Sequence, residues 1–119
     1  MQNLNLNEIY QEIEKFSKDR DWDQFHSVKN LTMALSIEAG ELMELFQWMP
    51  EEKSNQVKND PALRTKIDDE IADVFIYLLR LVDKTNTNLD EAVRNKMKKN
   101  IAKYPVELAK GNSKKYDEY

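Results

Sequence analysis

The chain has 119 residues, with 18 Lys and Arg against 22 Asp and Glu, a formal net charge of −4, two Gly, three Pro and no Cys. The absence of Cys excludes a disulfide scaffold, a thiolate zinc site and a Cys nucleophile, and it fits a cytoplasmic protein. So few turn-forming residues argue against an all-β fold and for long helices. The chain is mildly acidic and lacks an apolar run of membrane length, so we expect neither nucleic acid nor a membrane as a partner.

Hydrophobic residues recur at helical spacing from the N-terminus onward. The first predicted helix contains Leu6–Phe16, with Asn7 as its N-cap. Residues 19–26 break the pattern and are predicted to form a loop. The second predicted helix spans about residues 28–47, after Ser27 as its N-cap.

Two further helices complete the pattern. The third is predicted over about residues 61–84, after Asp60 as its N-cap and with Pro at its first position. The fourth begins after Asn88, whose spacing to a following Glu resembles a capping box, and ends near Pro105. We therefore expect an all-α, oligomeric four-helix bundle in a single domain over all 119 residues, with 106–119 as a polar tail.

Carboxylates interrupt the apolar stripes of the second and third helices. Glu38 occupies the centre of the second helix's stripe, and Glu41 lies about 60° to one side of it. In the third helix, Glu70, Asp73 and Tyr77 share one sector of a helix that is apolar nearly all round. The apolar positions of the two stripes are Leu31, Leu35, Leu42, Leu45, Ile67, Ile71, Val74, Leu78 and Leu81. If the stripes face each other, the two acid pairs converge.

Converging carboxylates repel, at about 4 kcal/mol for two charges about 4 Å apart at an effective dielectric near 20. Protonation, basic partners or a hard divalent cation would relieve this, and all-oxygen ligation favours Mg²⁺, Mn²⁺ or Ca²⁺ over zinc. A di-iron bundle would need Glu-x-x-His motifs, whereas the one His, His26, lies in a loop. Solvated helix faces remain the alternative interpretation of both pairs. Gly40 costs up to about 1 kcal/mol within a helix, which suggests close approach of another group or tight packing.

The acid pairs resemble the Glu-x-x-Glu and Glu-x-x-Asp signature of the MazG-like, all-α nucleoside triphosphate pyrophosphohydrolases. The similarity covers roughly residues 16–118 and is greatest to the dCTP pyrophosphatase branch of that family. The stretches that carry it include 20–26, 38–42, 44–48, 70–74 and 113–116.

The resemblance implies hydrolysis of a dNTP to the monophosphate and pyrophosphate, as house-cleaning of the nucleotide pool. The first candidate substrate is dCTP or a 5-modified dCTP. The same resemblance implies a tetramer built as a dimer of dimers. One of the carboxylates is expected to accept the proton of the attacking water, and Glu38 and Glu41 are our candidates for this role. The residues implied to hold Mg²⁺, with Mn²⁺ as a substitute, are Glu38, Glu41, Glu70 and Asp73. A broader (d)NTP pyrophosphatase and a metal-stabilised helical interaction module are the alternatives.

The resemblance also implies how the nucleotide binds. The two tryptophans line the base pocket, Tyr77 contacts sugar or phosphate and helps to select deoxyribose, and the fourth helix reaches the phosphates. The implied substrate-binding residues are Trp22, Gln24, Phe25, His26, Trp48, Asp73, Tyr77, Lys96, Asn100 and Tyr104. Core packing of the tryptophans and local capping by His26 are the alternatives. Ile13 stands where vertebrate members of the branch have a pocket His, so the base preference stays open.

Charge is distributed unevenly in a way that suits this interpretation. Residues 94–119 contain eight basic and three acidic residues, which leaves this segment at +5 and the preceding 93 residues at −9. A basic segment is suited to meet phosphates, and Lys serves them as a point charge. Lys98, Lys99 and Lys103 are interpreted as solvated surface.

Overall fold

The computed structural model describes residues 2–119, and the regular secondary structure of this part of the chain is entirely helical, without a strand. The α-helices are α1 (Leu6–Asp19), α2 (Val28–Glu44), α3 (Glu51–Ser54), α4 (Pro61–Lys84), α5 (Leu89–Lys103) and α6 (Val106–Ala109). Three 3-10 turns lie at Asp23–Phe25, Val57–Asn59 and Tyr116–Glu118. Contacts divide the chain into two compact units, one ending at Asn86 and the other comprising Thr87–Tyr119. The all-α prediction is confirmed.

Side-chain caps determine where the long helices begin. The Asn5 side chain accepts a hydrogen bond from the Glu8 N–H at 3.1 Å, so α1 starts directly after Asn5. The predicted cap Asn7 is wrong, because that residue already lies inside the helix. The caps of α2, α4 and α5 are the predicted ones, Ser27, Asp60 and Asn88.

The ends and connections differ in detail from the prediction. Regular α2 ends at Glu44 rather than near residue 47, and hydrogen-bonded turns follow it. The polar connection at 50–60 contains α3 and a 3-10 turn, and the tail at 106–119 contains α6 and another. Among the described residues no helix has the length and hydropathy of a membrane span.

The first unit is organised around α4, which packs along α2 and also contacts α1. The hydrophobic residues buried most completely are Leu31, Ile67 and Leu79. Ile71 and Leu78, which the sequence places on a core stripe, are 50% and 36% exposed. A helix that is apolar nearly all round presents more apolar surface than two neighbouring helices can cover.

Candidate functional site

Three carboxylates meet where α2 packs against α4. Glu38 and Glu41 are three residues apart on α2, a spacing that places both side chains on one helix face. Glu70 approaches them from α4, and one oxygen from each of the three carboxylates lies within 4.8 Å of the others. The structure thus brings together three of the four residues that the sequence predicts as metal ligands.

Burial and mutual repulsion perturb these groups. Burial, reinforced by the neighbouring Glu41 carboxylate, raises the pKa of Glu38 from 4.5 to about 7. Burial is also the main reason why the pKa of Glu70 is raised, and the charge of Glu41 adds to it. Each shift shows that the cluster disfavours the ionised form, so a proton or another positive charge is needed to neutralise it.

The donor chemistry of this cluster fits a hard divalent cation. Oε2 of Glu38 and Oε2 of Glu70 are buried and have no hydrogen-bond partner. Buried oxygen atoms without donors are unusual in a folded protein, and a metal ion would satisfy both. An all-carboxylate set suits Mg²⁺, which commonly uses one or two carboxylates together with water and substrate phosphates.

A cavity of about 470 Å³ lies in the first unit, and burial raises the pKa of Tyr77 in its wall, an effect to which the nearby charges of Glu38 and Glu41 add. Asp73, the fourth predicted ligand, lies one turn after Glu70 and lines this cavity rather than joining the group of three carboxylates. The volume falls in the range of about 300–1,000 Å³ typical of small-molecule sites. The lining residues are Ile9, Glu12, Ile13, Phe16, Ser17, Trp22, His26, Asp73, Ile76, Tyr77 and Arg80.

Aromatic rings connect three elements of the cavity wall. Trp22 contacts Phe16 of α1 edge-to-face at a centroid distance of 5.4 Å, and the ring centroids of His26 and Trp22 are 6.4 Å apart. The ring centroid of His26 also lies 6.5 Å from that of Tyr77 on α4. Trp22 keeps 41% of its surface exposed, so part of the indole is free to stack on a ligand. Burial raises the pKa of Tyr77, which keeps its hydroxyl protonated and able to donate a hydrogen bond.

Three predicted substrate contacts do not line this cavity. The Gln24 amide donates to the carbonyl oxygen of Asp21 at 3.0 Å and to its carboxylate at 2.9 Å, so it stabilises the loop. Phe25 is 60% exposed and Trp48 is 88% exposed. Of the two tryptophans predicted to line a base pocket, Trp22 lines this cavity of the described chain and Trp48 does not.

The remaining predicted contacts belong to the second unit. Lys96 and Asn100 lie one turn apart on α5, and Tyr104 is its C-terminal cap. The Tyr104 ring meets Tyr116 and Tyr119 edge-to-face, at centroid distances of 6.2 and 6.0 Å. The tail after α6 thus packs on the end of α5 through aromatic contacts that the sequence did not predict.

Arg80 is a buried charged residue of the cavity wall that the sequence interpretation missed. Its side chain is 2% exposed, and its Nη2 binds the Asp23 carboxylate at 2.5 Å. Nη2 also lies 3.4 Å from Nδ1 of His26, while Nε is buried without a partner. A single charge within the apolar run 78–82 was the available signal, because such a charge is rarely buried unless it is paired.

Comparison with known proteins identifies similar chains. The profile of the MazG-like family matches residues 33–119. The chain is 42% identical over 102 residues to dCTP pyrophosphatase 1 of Bos taurus, covering 86% of this chain and 60% of that one. It is 41% identical over 104 residues to dCTP pyrophosphatase 1 of Homo sapiens, covering 87% and 61%. It thus spans about 60% of the length of these curated relatives.

A solved structure extends the similarity to the fold. The crystal structure of a pyrophosphatase from Archaeoglobus fulgidus matches with a TM-score of 0.78 at 38% identity. The match covers 88% of this chain and 96% of the archaeal one.

Proposed function

The chain belongs to the MazG-like family, and from this premise we propose that it hydrolyses a deoxynucleoside triphosphate to the monophosphate and pyrophosphate. The observation that carries the proposal is the cluster of Glu38, Glu41 and Glu70 beside a cavity of nucleotide-binding size. Similarity to proteins named dCTP pyrophosphatase 1 makes dCTP or a 5-modified dCTP the first candidate substrate. House-cleaning of the cytoplasmic nucleotide pool is the corresponding role.

The carboxylates are proposed to bind Mg²⁺, with Mn²⁺ as a substitute. Glu38, Glu41 and Glu70 would hold the ion, and Asp73 would contribute from the cavity side. When bound, Mg²⁺ screens the triphosphate, polarises the α-phosphoryl group and lowers the pKa of a bound water. Glu38 or Glu41 would accept the proton of the attacking water, a role that requires this carboxylate to be ionised.

The cavity is proposed to hold the base and sugar. The exposed part of the Trp22 indole would stack on the base, an interaction worth about 1–3 kcal/mol. The Tyr77 hydroxyl would donate to the sugar or to a phosphate and help to select deoxyribose. His26 completes this wall between the two rings.

A broader substrate range is favoured by one specific observation. Ile13 lines the cavity, and its aliphatic side chain cannot hydrogen-bond a base edge. Discrimination between bases is strong only where a site pairs polar groups with the correct base. A (d)NTP pyrophosphatase of wider specificity is therefore the second candidate activity.

The second unit is proposed to contact the phosphates. Lys96 and Asn100 of α5 are the proposed phosphate contacts, with Lys96 as a point charge. Tyr104 would follow one turn later, although its ring already contacts the tail. The positive balance of residues 94–119 supports this assignment.

Exposed apolar surface supports a homo-oligomer, for which we propose a tetramer built as a dimer of dimers. Ile37 is 61% exposed on α2 and Ile71 is 50% exposed on α4. Apart from its chain neighbours and the backbone of its own helix, no described atom lies within 4 Å of the place where a Cβ of Gly40 would be, so the predicted tight packing of Gly40 is not found within the described residues. A second subunit would cover this face. In such an assembly Trp48 would complete the pocket of a neighbouring subunit.

Pyrophosphate release tests the proposed activity. We expect release from dCTP or 5-methyl-dCTP above other dNTPs and NTPs, and only with Mg²⁺ present. Glu38→Gln and Asp73→Asn should each lower the rate by about 100-fold or more, the upper range for groups supporting a metal site. Glu44→Gln is the matched control, because Glu44 is exposed on the same helix and lies outside the cluster. No release from any nucleotide would favour the interaction module instead.

Light scattering after size-exclusion chromatography tests the assembly. A tetrameric mass is expected, and Ile37→Lys should reduce it. A monomeric mass at assay concentration would refute the proposal that a second subunit completes the pocket.

A further inference from the structure

A buried guanidinium forms part of the wall of a cavity that is otherwise mostly apolar. Arg80 lies one turn after Tyr77 on α4, and both side chains line the cavity. A buried charge is costly unless it is paired, and Arg80 is paired chiefly through Asp23 at 2.5 Å. A second carboxylate, Asp83, lies 3.8 Å from Nη1 and accepts a hydrogen bond from the Tyr10 hydroxyl at 2.7 Å.

The Asp23 contact ties a loop to α4. On its other side the loop is attached to α1, where the Trp22 N–H donates to the Ser17 carbonyl at 2.9 Å. Asp23 is separated from Arg80 by 57 positions, so their ion pair joins distant parts of the chain. Trp22 and His26 flank Asp23 and both line the cavity. The position of these two rings therefore depends on the Arg80 contact.

The same guanidinium restricts the protonation of His26. Arg has donors only, so its Nη2, 3.4 Å from Nδ1 of His26, is a favourable neighbour only if Nδ1 carries a lone pair. The ring proton must then be on Nε2. Burial and the positive charge of Arg80 lower the pKa of His26, which keeps the ring neutral.

We propose that Arg80 is a positioning residue of the cavity, which holds the 22–26 loop against α4 and fixes His26 as the neutral tautomer with its proton on Nε2. In this form His26 offers a hydrogen-bond donor to a nucleotide acceptor, such as a base carbonyl. The identity of the ligand rests on the proposed function, whereas the position of the loop and the tautomer do not.

Nitrogen NMR of the imidazole ring tests the tautomer without any substrate. His26 is the single His of the chain, so its two ring nitrogens give unambiguous signals. The wild-type protein should show a protonated Nε2 and an unprotonated Nδ1. In Arg80→Met the two shifts should move toward the averaged values of exchanging tautomers. A protonated Nδ1 in the wild type, or unchanged shifts in Arg80→Met, would overturn the proposal.

Two more variants separate positioning from simple stability. Arg80→Lys keeps the positive charge and should restore part of the wild-type ring signal. If circular dichroism shows that Arg80→Met does not fold, the ring shifts of Arg80→Lys serve as the test instead. Arg64→Met is the matched control, because Arg64 pairs with Asp68 on the exposed side of the same helix. This control should leave both ring shifts unchanged, and an equal change in it would overturn the assignment to Arg80.

Steady-state kinetics with dCTP supply the second measurement. Arg80→Met should raise KM about 10-fold, the effect of roughly one lost hydrogen bond, with kcat changed less than about twofold. A fall in kcat with unchanged KM would overturn the positioning role. If the ring shifts change as expected but no variant hydrolyses any nucleotide, the proposed function fails while the assignment of Arg80 stands.

Discussion

Replacement of Glu38 by Gln should stabilise the metal-free protein at alkaline pH although it removes activity. In the folded chain the pKa of Glu38 is raised from 4.5 to about 7. At about 1.36 kcal/mol per pH unit, this shift sets a ceiling of about 3 kcal/mol on the cost of ionising Glu38. Because the side chain is only partly buried and solvent screens it, we expect about 1–2 kcal/mol.

The sign follows from proton binding in the two states. Between pH 4.5 and about 7 the folded state holds the Glu38 proton while the unfolded state has lost it. Stability therefore falls as pH rises through this window, and the loss is complete above it. Gln is neutral at every pH and avoids the loss. The stability advantage of Glu38→Gln should accordingly be small at pH 5 and largest at pH 8.

Urea unfolding at equal protein concentration, with a chelator, measures this difference. Glu44→Gln serves as the control and should show no widening gap between pH 5 and pH 8. Added Mg²⁺ should reverse the order, because a ligand that binds only the folded state stabilises it and Glu38→Gln would bind less. If the wild-type protein were more stable than Glu38→Gln at pH 8 in the presence of chelator, the argument that ionised Glu38 destabilises the fold would be refuted.

Three further substitutions follow from the geometry of the first unit. Gly40→Ala should raise the free energy of unfolding by up to about 1 kcal/mol, since no described residue outside the adjoining helix backbone lies within 4 Å of the added methyl group; loss of the oligomer instead would place a partner there. Ile13→His should increase the kcat/KM ratio of dCTP over dTTP by giving the cavity a polar group, and an unchanged ratio would contradict the placement of the base. Trp22→Ala should raise KM for dCTP at least about 5-fold, the lower limit for a lost base stack, whereas unchanged KM would exclude stacking.

The helices could be predicted from the sequence because local rules determine them. Ser27, Asp60 and Asn88 cap their helices as predicted, since each precedes an apolar periodic segment. The N-cap of α1 was misplaced because two Asn residues compete within three positions. The Glu at position 8 is the signal that favours Asn5, as it stands three residues after that Asn.

The carboxylates of the site could also be predicted from the sequence, again because a local pattern indicates them. Glu38 stands out because it interrupts an apolar stripe, and the period of one helix reveals such an interruption. The exposure of Ile71 could not be predicted, because it depends on how much of α4 the neighbouring helices cover. The role of Arg80 likewise depends on Asp23, a partner 57 positions away that no local pattern indicates.

The two tryptophans occupy such different surroundings that their intrinsic fluorescence should distinguish them. Trp22 contacts the Phe16 and His26 rings in the cavity wall, whereas Trp48 is 88% exposed. Their fluorescence should therefore separate into a blue-shifted, ligand-sensitive component and a red-shifted component that dissolved quenchers reach. The blue-shifted signal of Trp22 could then be used to follow nucleotide binding. The red-shifted signal of Trp48 could be used to follow its burial by a partner subunit, in the same unlabelled sample.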